Sequence, residues 1–233
     1  MKKNLYIIGD VHGCFETLQA LIEQFPNREN AQIIFTGDFI GKGKHSAQVL
    51  EFIIQRGYQS VKGNHEMMMH ESYSSFQSMS AKKLSRKKHF WYENAGDTIL
   101  ESYDLPFSGD IMEHLSWIEQ LPHYIENQHE DSEGKRLFVT HGFGLPYYER
   151  RDEKSIELMT NRISQKVFTD YEKNYIQYPV FNVFGHDPHS EAILTDHYAA
   201  IDTGCVYHKE SIPAVLTALE WPSKKLYQQN YID

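Results

Sequence analysis

Cysteine is scarce in this sequence, and long apolar runs are missing from it. The 233 residues include two cysteines, Cys14 and Cys205. Neither has a second cysteine or a histidine at zinc-finger spacing, so a disulfide framework is excluded, a structural zinc site is disfavoured and a reducing compartment is expected. The apolar stretch Leu5–Ile8 is too short for an export signal, and no run approaches the roughly eighteen residues of a membrane helix. The sequence therefore predicts a soluble protein of the cytoplasm, without a membrane partner.

An excess of positive charge is also missing. Lysine and arginine total 23 against 32 aspartates and glutamates, which gives a formal net charge of −9. A general nucleic-acid-binding surface is therefore not expected. The proportions of hydrophobic residues (40%) and charged residues (24%) are those of an ordinary globular protein. We predict one domain over residues 1–233, with a helical excursion at about 66–121.

Short β-type runs recur along the chain, separated by helix-like stretches. The runs are Leu5–Ile8, Ile33–Thr36, Tyr58–Val61, Arg136–Thr140, Val180–Phe184, Ala192–Leu194, Tyr198–Asp202 and Ala214–Glu220. Apolar residues at near-helical spacing fill the connections Phe15–Phe25 and Val49–Ile54. This alternation predicts a layered α/β unit with parallel or mixed strand pairing.

The segment Ser72–His89 differs from its surroundings because it is rich in serine, lysine and arginine. Two interpretations stay open at this point. The segment is either a solvated helical excursion or a basic lid over an anionic substrate.

Five of the predicted strands are followed by side chains that bind metal ions. These residues are Asp10 and His12, Asp38, Asn64 and His65, His141, and His186. Open α/β folds place ligands at strand ends, because the loops diverge there while the sheet fixes their origins. Carboxylate and amide oxygens combined with imidazole nitrogens suit two divalent ions. We expect manganese first, with iron, zinc or nickel as alternatives.

A carboxylate between two cations about 3.5–4 Å apart bridges them and holds a hydroxide for in-line attack on phosphorus. The pattern therefore predicts phosphoester hydrolysis. Each Gly-Asp or His-Gly pair alone is a common turn. Five such pairs in order, each behind a predicted strand, are harder to explain as turns.

In chain order, the blocks Gly9-Asp-Val-His-Gly13, Gly37-Asp38, Gly63-Asn-His-Glu66, His141-Gly142 and Gly185-His186 resemble the signature of the calcineurin-like metallophosphoesterases. The resemblance is to the phosphoprotein phosphatase branch, namely its bacterial and phage serine/threonine phosphatases and its diadenosine tetraphosphatases. It implies an α/β sandwich of two mixed β-sheets flanked by helices.

The same resemblance implies a role for each metal-binding residue. Asp10 and His12 would bind one ion, Asp38 would bridge, and Asn64, His141 and His186 would bind the other. His65 would protonate the leaving oxygen, a task that suits an imidazole with an ordinary pKa near 6.5. A ligand role for His65 stays open.

Two basic residues are candidate substrate ligands. Arg162 belongs to an Asn-Arg pair similar to one in the phage-type enzymes, and its planar guanidinium suits two phosphate oxygens. A surface ion pair explains Arg162 equally well. Lys42 stands where most relatives have the arginine of an Asp-Arg-Gly triplet, so we expect it to hold phosphate more loosely.

Gly41 replaces the aspartate of that triplet. In relatives the aspartate orients the proton-donating histidine, so we expect His65 to be less restrained here. The symmetrical diadenosine tetraphosphatases also lack this aspartate, which favours a nucleotide substrate. Two other features favour a phosphatase, namely Gly185-His-Asp-Pro188 and the Asn-Arg pair.

Three functions therefore compete. The first is hydrolysis of phosphate monoesters, as in a serine/threonine phosphoprotein phosphatase. The second is cleavage of dinucleoside polyphosphates, for which Tyr147 and Tyr148 are candidates for stacking on a base. The third is a catalytically weak metal-binding regulatory module, motivated by Gly41 and Lys42. The expected partner is a phosphorylated protein, a small phosphoester or a nucleotide, and the sequence does not determine the oligomeric state.

Overall fold

A computed structural model of the chain describes residues 4–74, 91, 93–163, 176–208 and 213–233. Most of the segment Ser72–His89 lies outside the described residues, so its two interpretations stay predictions. Among the described residues, no helix combines the length and apolar character needed to cross a bilayer.

The described residues form ten strands and six α-helices. The strands are β1 Leu5–Ile8, β2 Gln32–Phe35, β3 Gln59–Ser60, β4 Tyr124–Glu130, β5 Arg136–Thr140, β6 Val180–Phe184, β7 Ile193–Leu194, β8 Tyr198–Ala200, β9 Val215–Trp221 and β10 Lys225–Asn230. The helices are α1 Phe15–Glu23, α2 Ser46–Arg56, α3 Asn64–Ser74, α4 Gly96–Glu101, α5 Ile111–Glu119 and α6 Ser155–Thr160.

The strands form two five-stranded mixed sheets. The first has the order β10-β9-β1-β2-β3, in which β1, β2 and β3 run parallel and β9 and β10 pair antiparallel. The second has the order β4-β5-β6-β8-β7, with a parallel centre and antiparallel edges. The predicted sandwich of two mixed sheets is therefore confirmed.

Strand β1 shows how the layers pack. Leu5 and Ile7 belong to an apolar cluster shared with strands of the second sheet, whereas Tyr6 and Ile8 pack on the helix side. Side chains alternate between the faces of a strand, so β1 is buried on both. A continuous apolar run is the sequence pattern of such a strand.

The sequence analysis missed two strands, β4 and β10. Both are edge strands, and their sequences Tyr124–Glu130 and Lys225–Asn230 are rich in glutamine, glutamate and asparagine. An edge strand pairs on one side only and carries polar residues that limit association with other chains. The apolar signal used to find strands is weak in such segments.

Asp131 holds the connection between β4 and β5. Its buried carboxylate accepts hydrogen bonds from the backbone N–H groups of Glu133 and Lys135, and Lys224 Nζ lies 2.8 Å away. Burial alone would raise the pKa of Asp131, but the contacts with Lys224 and the two N–H groups outweigh it and lower the pKa.

We expect Asp131→Ala to lower the free energy of unfolding by about 2 kcal/mol at pH 7, because two N–H groups lose a charged acceptor. The lowered pKa makes this contribution fully present above the unfolded pKa of about 3.9, and lost as the pH falls through the folded value. Urea denaturation at pH 7 and pH 3 measures both effects. Glu133→Ala, an exposed control, should barely move the midpoint, and equal midpoints for wild type and Asp131→Ala would contradict the prediction.

Candidate metal centre

The predicted metal-binding residues lie where strands of both sheets end. Asp10 and His12 follow β1, Asp38 follows β2, Asn64 and His65 begin α3 after β3, His141 follows β5, and His186 follows β6. Two contacts join the edges of the sheets. The backbone N–H of His186 donates to Asp10 Oδ2 at 3.0 Å, and His141 Nδ1 donates to the carbonyl oxygen of Thr36 at 2.8 Å.

Asp38 is shared by two groups of side chains with the spacing of metal ligands. One group contains His12 and His65, the other contains His141 and His186, and the ligand atoms within each group lie within 4.8 Å of one another. Asp38 Oδ2 is 3.8 Å from His12 Nε2 and 3.4 Å from His141 Nε2. A carboxylate in this position is placed to bridge two ions.

Hydrogen bonds orient the two histidines nearest Asp38. Nδ1 of His12 donates to the carbonyl oxygen of Ile40 at 3.1 Å, as that of His141 does to Thr36. These bonds leave each Nε2 available to an ion, which is the usual arrangement of imidazole ligands. Asn64 Oδ1 lies 3.1 Å from His141 Nε2 and adds a neutral oxygen atom as a candidate metal ligand.

Asp10 lies beside these groups but belongs to neither, while His65 occupies the third place next to His12. The Asp10 carboxylate accepts hydrogen bonds from Thr36 Oγ1 at 3.2 Å and from the backbone of His186. A Cβ atom at position 185 would collide with both Asp10 Oδ1 and Thr36 Oγ1, so Gly185 permits this close approach.

Three of these residues adopt a backbone conformation that is costly for side chains with a Cβ atom. The φ angles are +49° at His12, +47° at Asp38 and +66° at His186. Non-glycine residues rarely take positive φ, and such strain concentrates at functional sites. All three residues belong to the two ligand groups that share Asp38.

The cluster also shifts pKa values strongly in both directions. Burial alone would raise the pKa of Asp38, but the imidazoles of His141 and His65 hold it well below its usual range. Burial alone would lower the pKa of His141, but Asp38 and Asp10 raise it to about 10. Burial and the nearby Asp202 raise the pKa of Asp10 well above its usual range. Crowded buried carboxylates of this kind fit a site for cations, whose charge offsets their repulsion.

Glu66 is completely buried, and its carboxylate fixes the loop that carries Asp38. It accepts hydrogen bonds from the backbone N–H groups of Gly63 at 2.9 Å, Asp38 at 2.8 Å and Ile40 at 3.2 Å. Burial and the charge of Asp38 raise its pKa to about 8. Its role is therefore structural, through the loop it fixes.

His65 lies beside Gly41, the position at which the sequence analysis expects an aspartate to be missing. Its buried Nδ1 has no hydrogen-bond partner among the described residues. A Cβ atom on Gly41 would lie 3.1 Å from this Nδ1 and 2.5 Å from His12 Nδ1. Among the described residues, this imidazole nitrogen is therefore unpaired beside Gly41, and the weaker restraint on His65 stays a prediction.

The two predicted substrate ligands already have protein partners. Lys42 Nζ donates to the hydroxyl of Tyr207 and lies 4.1 Å from the centre of its ring. Arg162 Nη1 is 3.5 Å from Asp187 Oδ1. Asp187 directly follows His186 in the chain, and burial, His141 and Arg162 all lower the pKa of His186, to about 3.

The two tyrosines proposed for base stacking pack in or against the hydrophobic core. Tyr148 is buried with its ring 5.1 Å from that of Phe138, and Tyr147 packs partly buried against the same cluster. Sequence reasoning did not single out Thr36 and Tyr207. Thr36 ends a predicted strand directly before Gly37-Asp38, a position that could have drawn attention to it, whereas no sequence signal joins Tyr207 to Lys42.

Comparison with known proteins agrees with this geometry. A family model described as calcineurin-like phosphoesterase matches residues 3–211. The symmetrical bis(5'-nucleosyl)-tetraphosphatase of Buchnera aphidicola is 27% identical over 72% of this chain and 55% of its own length. The serine/threonine-protein phosphatase 2 of Salmonella typhimurium is 27% identical over 60% of this chain and 58% of its own length.

One relative matches along almost its whole length. The asymmetrical bis(5'-nucleosyl)-tetraphosphatase PrpE of Oceanobacillus iheyensis is 25% identical over 94% of this chain and 89% of its own length. By contrast, the chain spans about half the length of the symmetrical tetraphosphatases that it matches. A solved structure of a candidate diadenosine tetraphosphatase shares the fold, with a TM-score of 0.64, 21% identity, and coverage of 99% of this chain and 95% of that one.

Proposed function

Because this chain belongs to the calcineurin-like phosphoesterase family, we propose that it is a phosphoester hydrolase whose substrates are dinucleoside polyphosphates, hydrolysed with two divalent ions. The observation that carries the metal-dependent chemistry is the Asp38 carboxylate shared by two ligand groups. The tetraphosphatase names of relatives and the absence of a carboxylate at Gly41 support the nucleotide substrate. Phosphate monoesters, placed first by the sequence analysis, become the second candidate.

The proposed ligand set follows the geometry around Asp38. We assign Asp10 and His12 to one ion, Asn64, His141 and His186 to the other, and Asp38 to both. The mixture of carboxylate, amide and imidazole donors suits manganese, iron, zinc or nickel, and we propose manganese. When bound, the ions supply Lewis acidity at the phosphoryl group and lower the pKa of a water molecule.

The side chains around the ions have separate tasks. His65 delivers a proton to the departing oxygen, which is costly to release as an anion near neutral pH. Lys42 and Arg162 offset the charge that develops on the phosphoryl oxygens. The Arg162 side chain is 32% exposed, and it reaches a phosphate by turning away from Asp187.

The second candidate is a serine/threonine phosphoprotein phosphatase. The relative from Salmonella typhimurium carries that name, and Arg162 lies close enough to lower the pKa of His186. An arginine beside a metal cluster suits a terminal phosphate, whose oxygens accept paired hydrogen bonds. A regulatory module that binds metal without rapid turnover is the third candidate.

A substrate panel separates these functions. Purified protein with added manganese is incubated with diadenosine tetraphosphate, p-nitrophenyl phosphate and a phosphoserine peptide, and products are identified by chromatography while bound metal is measured. We expect kcat/KM for diadenosine tetraphosphate to exceed that for the other two substrates by at least about tenfold. The product pair, two molecules of ADP or ATP with AMP, reports the position of cleavage.

The other outcomes select the rivals. Faster hydrolysis of the phosphopeptide supports the phosphatase and overturns the proposal. If two ions are bound per chain and none of the three substrates is hydrolysed, the result supports the regulatory module.

A further inference from the structure

A pocket opens next to the metal centre on the side of Lys42. It has a volume of about 340 Å³, near the lower end of the range for small-molecule sites, and we call it the Lys42 pocket. Its lining residues are Gly13, Cys14, Lys42, Gly43, Lys44, Val206, Tyr207, His208, Tyr231 and Asp233.

Backbone contacts connect the lining of the pocket to the metal-ligand cluster. Gly13 follows His12 directly, and the N–H of Gly43 donates to the carbonyl oxygen of His12 at 2.6 Å. Lys42 lines the pocket and directly follows Gly41, where a Cβ atom would lie 2.5 Å from His12 Nδ1 and 3.1 Å from His65 Nδ1. The pocket therefore adjoins the candidate metal centre along residues 12–13 and 41–43.

Flat rings form one wall. The His208 and Tyr231 rings are stacked with centres 4.1 Å apart and an interplanar angle of 11°. His208 is exposed, so a further planar group can extend the stack. Aromatic rings bind nucleobases in this way because every base presents a π face.

Two lysines also line the pocket. Lys42 and Lys44 are both exposed and supply positive charge there. Among the described residues of the lining, Asp233 carries a carboxylate side chain, which accepts hydrogen bonds at 3.0 Å from the backbone N–H groups of Glu16 and Thr17 at the start of α1. The start of a helix stabilises negative charge, so this carboxylate is already compensated.

We infer that the Lys42 pocket binds one nucleoside of a dinucleoside polyphosphate, with its base on the His208–Tyr231 stack and its phosphates between Lys42 and the metal centre. This inference rests on the proposed function and specifies how that function selects nucleotides. It assigns substrate recognition to Lys44 and His208, which no sequence motif marks.

Two exposed side chains allow a test that does not threaten the fold. His208→Ala removes the outer ring of the stack, and Lys44→Ala removes one ammonium group. For each variant, kcat/KM is measured with manganese for diadenosine tetraphosphate and for p-nitrophenyl phosphate, which has no nucleoside. We expect the ratio of the two values to fall about tenfold in His208→Ala, the size of one lost base–aromatic contact. Lys225→Ala is the matched control for Lys44→Ala, because Lys225 is likewise an exposed lysine but lies outside the pocket.

Equilibrium binding gives a second readout without turnover. Calorimetric titration of the metal-free protein with ADP in EDTA should show a Kd that rises about tenfold in His208→Ala and stays constant in Lys225→Ala. An equal Kd in wild type and His208→Ala, or no ADP binding by wild type, overturns the inference. If the wild type cleaves diadenosine tetraphosphate rapidly and both variants keep the wild-type ratio of kcat/KM values, the nucleoside site in the Lys42 pocket is wrong. The proposed function is not contradicted by that result. If the wild type hydrolyses p-nitrophenyl phosphate but not diadenosine tetraphosphate, the proposed function is wrong. The ADP titration alone then tests whether the Lys42 pocket binds a nucleoside.

Discussion

Asp38→Asn should remove nearly all hydrolytic activity together with most of the bound metal. Its carboxylate is the only side chain present in both ligand groups among the described residues. The neutral amide keeps the size of the side chain but takes away the negative charge that faces His12 and His141. Loss of a partner that merely orients a ligand weakens metal binding by about 10–100-fold, so loss of the shared ligand should exceed the upper end of that range.

Asparagine is compatible with the local backbone at position 38. A loss of bound metal in this variant is therefore not caused by unfolding. Asparagine tolerates the positive φ of +47° that residue 38 adopts. Manganese affinity by calorimetry, metal content after gel filtration, and kcat/KM for the preferred substrate of the panel should all fall. The control Asp104→Asn makes the same change at an exposed residue of a short 3-10 helix and should match wild type. Full metal content with full activity in Asp38→Asn would show that Asp38 does not bridge two ions.

His65→Asn should lower kcat by about 10²–10⁴-fold while both ions stay bound. General acid catalysis by a positioned imidazole contributes a factor of that size, and an amide does not donate a proton in its place. KM should change little, because His65 acts on the departing oxygen during the reaction. Steady-state kinetics and metal analysis on the same preparation test both parts.

The position of His65 makes the metal analysis decisive. His65 lies with His12 and Asp38 in one ligand group, and their rings and carboxylate are close enough to hold an ion without Asp10. Loss of one ion in His65→Asn would identify His65 as a ligand and remove its role as proton donor. The control His45→Asn makes the same chemical change outside the two ligand groups and should retain wild-type kcat and metal content.

The motif blocks were sufficient to predict the family, the layered fold and the candidates for the cluster. Each short apolar run followed by glycine and a polar residue indicates a buried strand that ends in a turn, which is a local property. Parallel β1, β2 and β3 in one sheet, and β5 and β6 in the other, then bring these turns to adjoining edges. Edge strands β4 and β10 escaped because their residues are mostly polar.

Contacts between distant residues could not be predicted in the same way. Lys42 and Tyr207 are 165 positions apart, and Asp38 and Glu66 are 28 positions apart. Arg162 illustrates the limit most clearly, since a phosphate ligand and an ion pair require the same residue type. The contact of 3.5 Å with Asp187 establishes the ion pair. Binding of phosphate by Arg162 stays a proposal.

The order and chemical type of the blocks determined, by themselves, the family and its layered fold of two mixed sheets, because strand ends and candidate metal-binding residues coincide within a few positions. Only the tertiary structure decided that Asp38 is shared between two groups, that the Nδ1 atom of His65 has no hydrogen-bond partner among the described residues, and that a pocket with an aromatic wall adjoins Lys42. These features depend on distances between side chains from separate segments, which are set when the two sheets pack together.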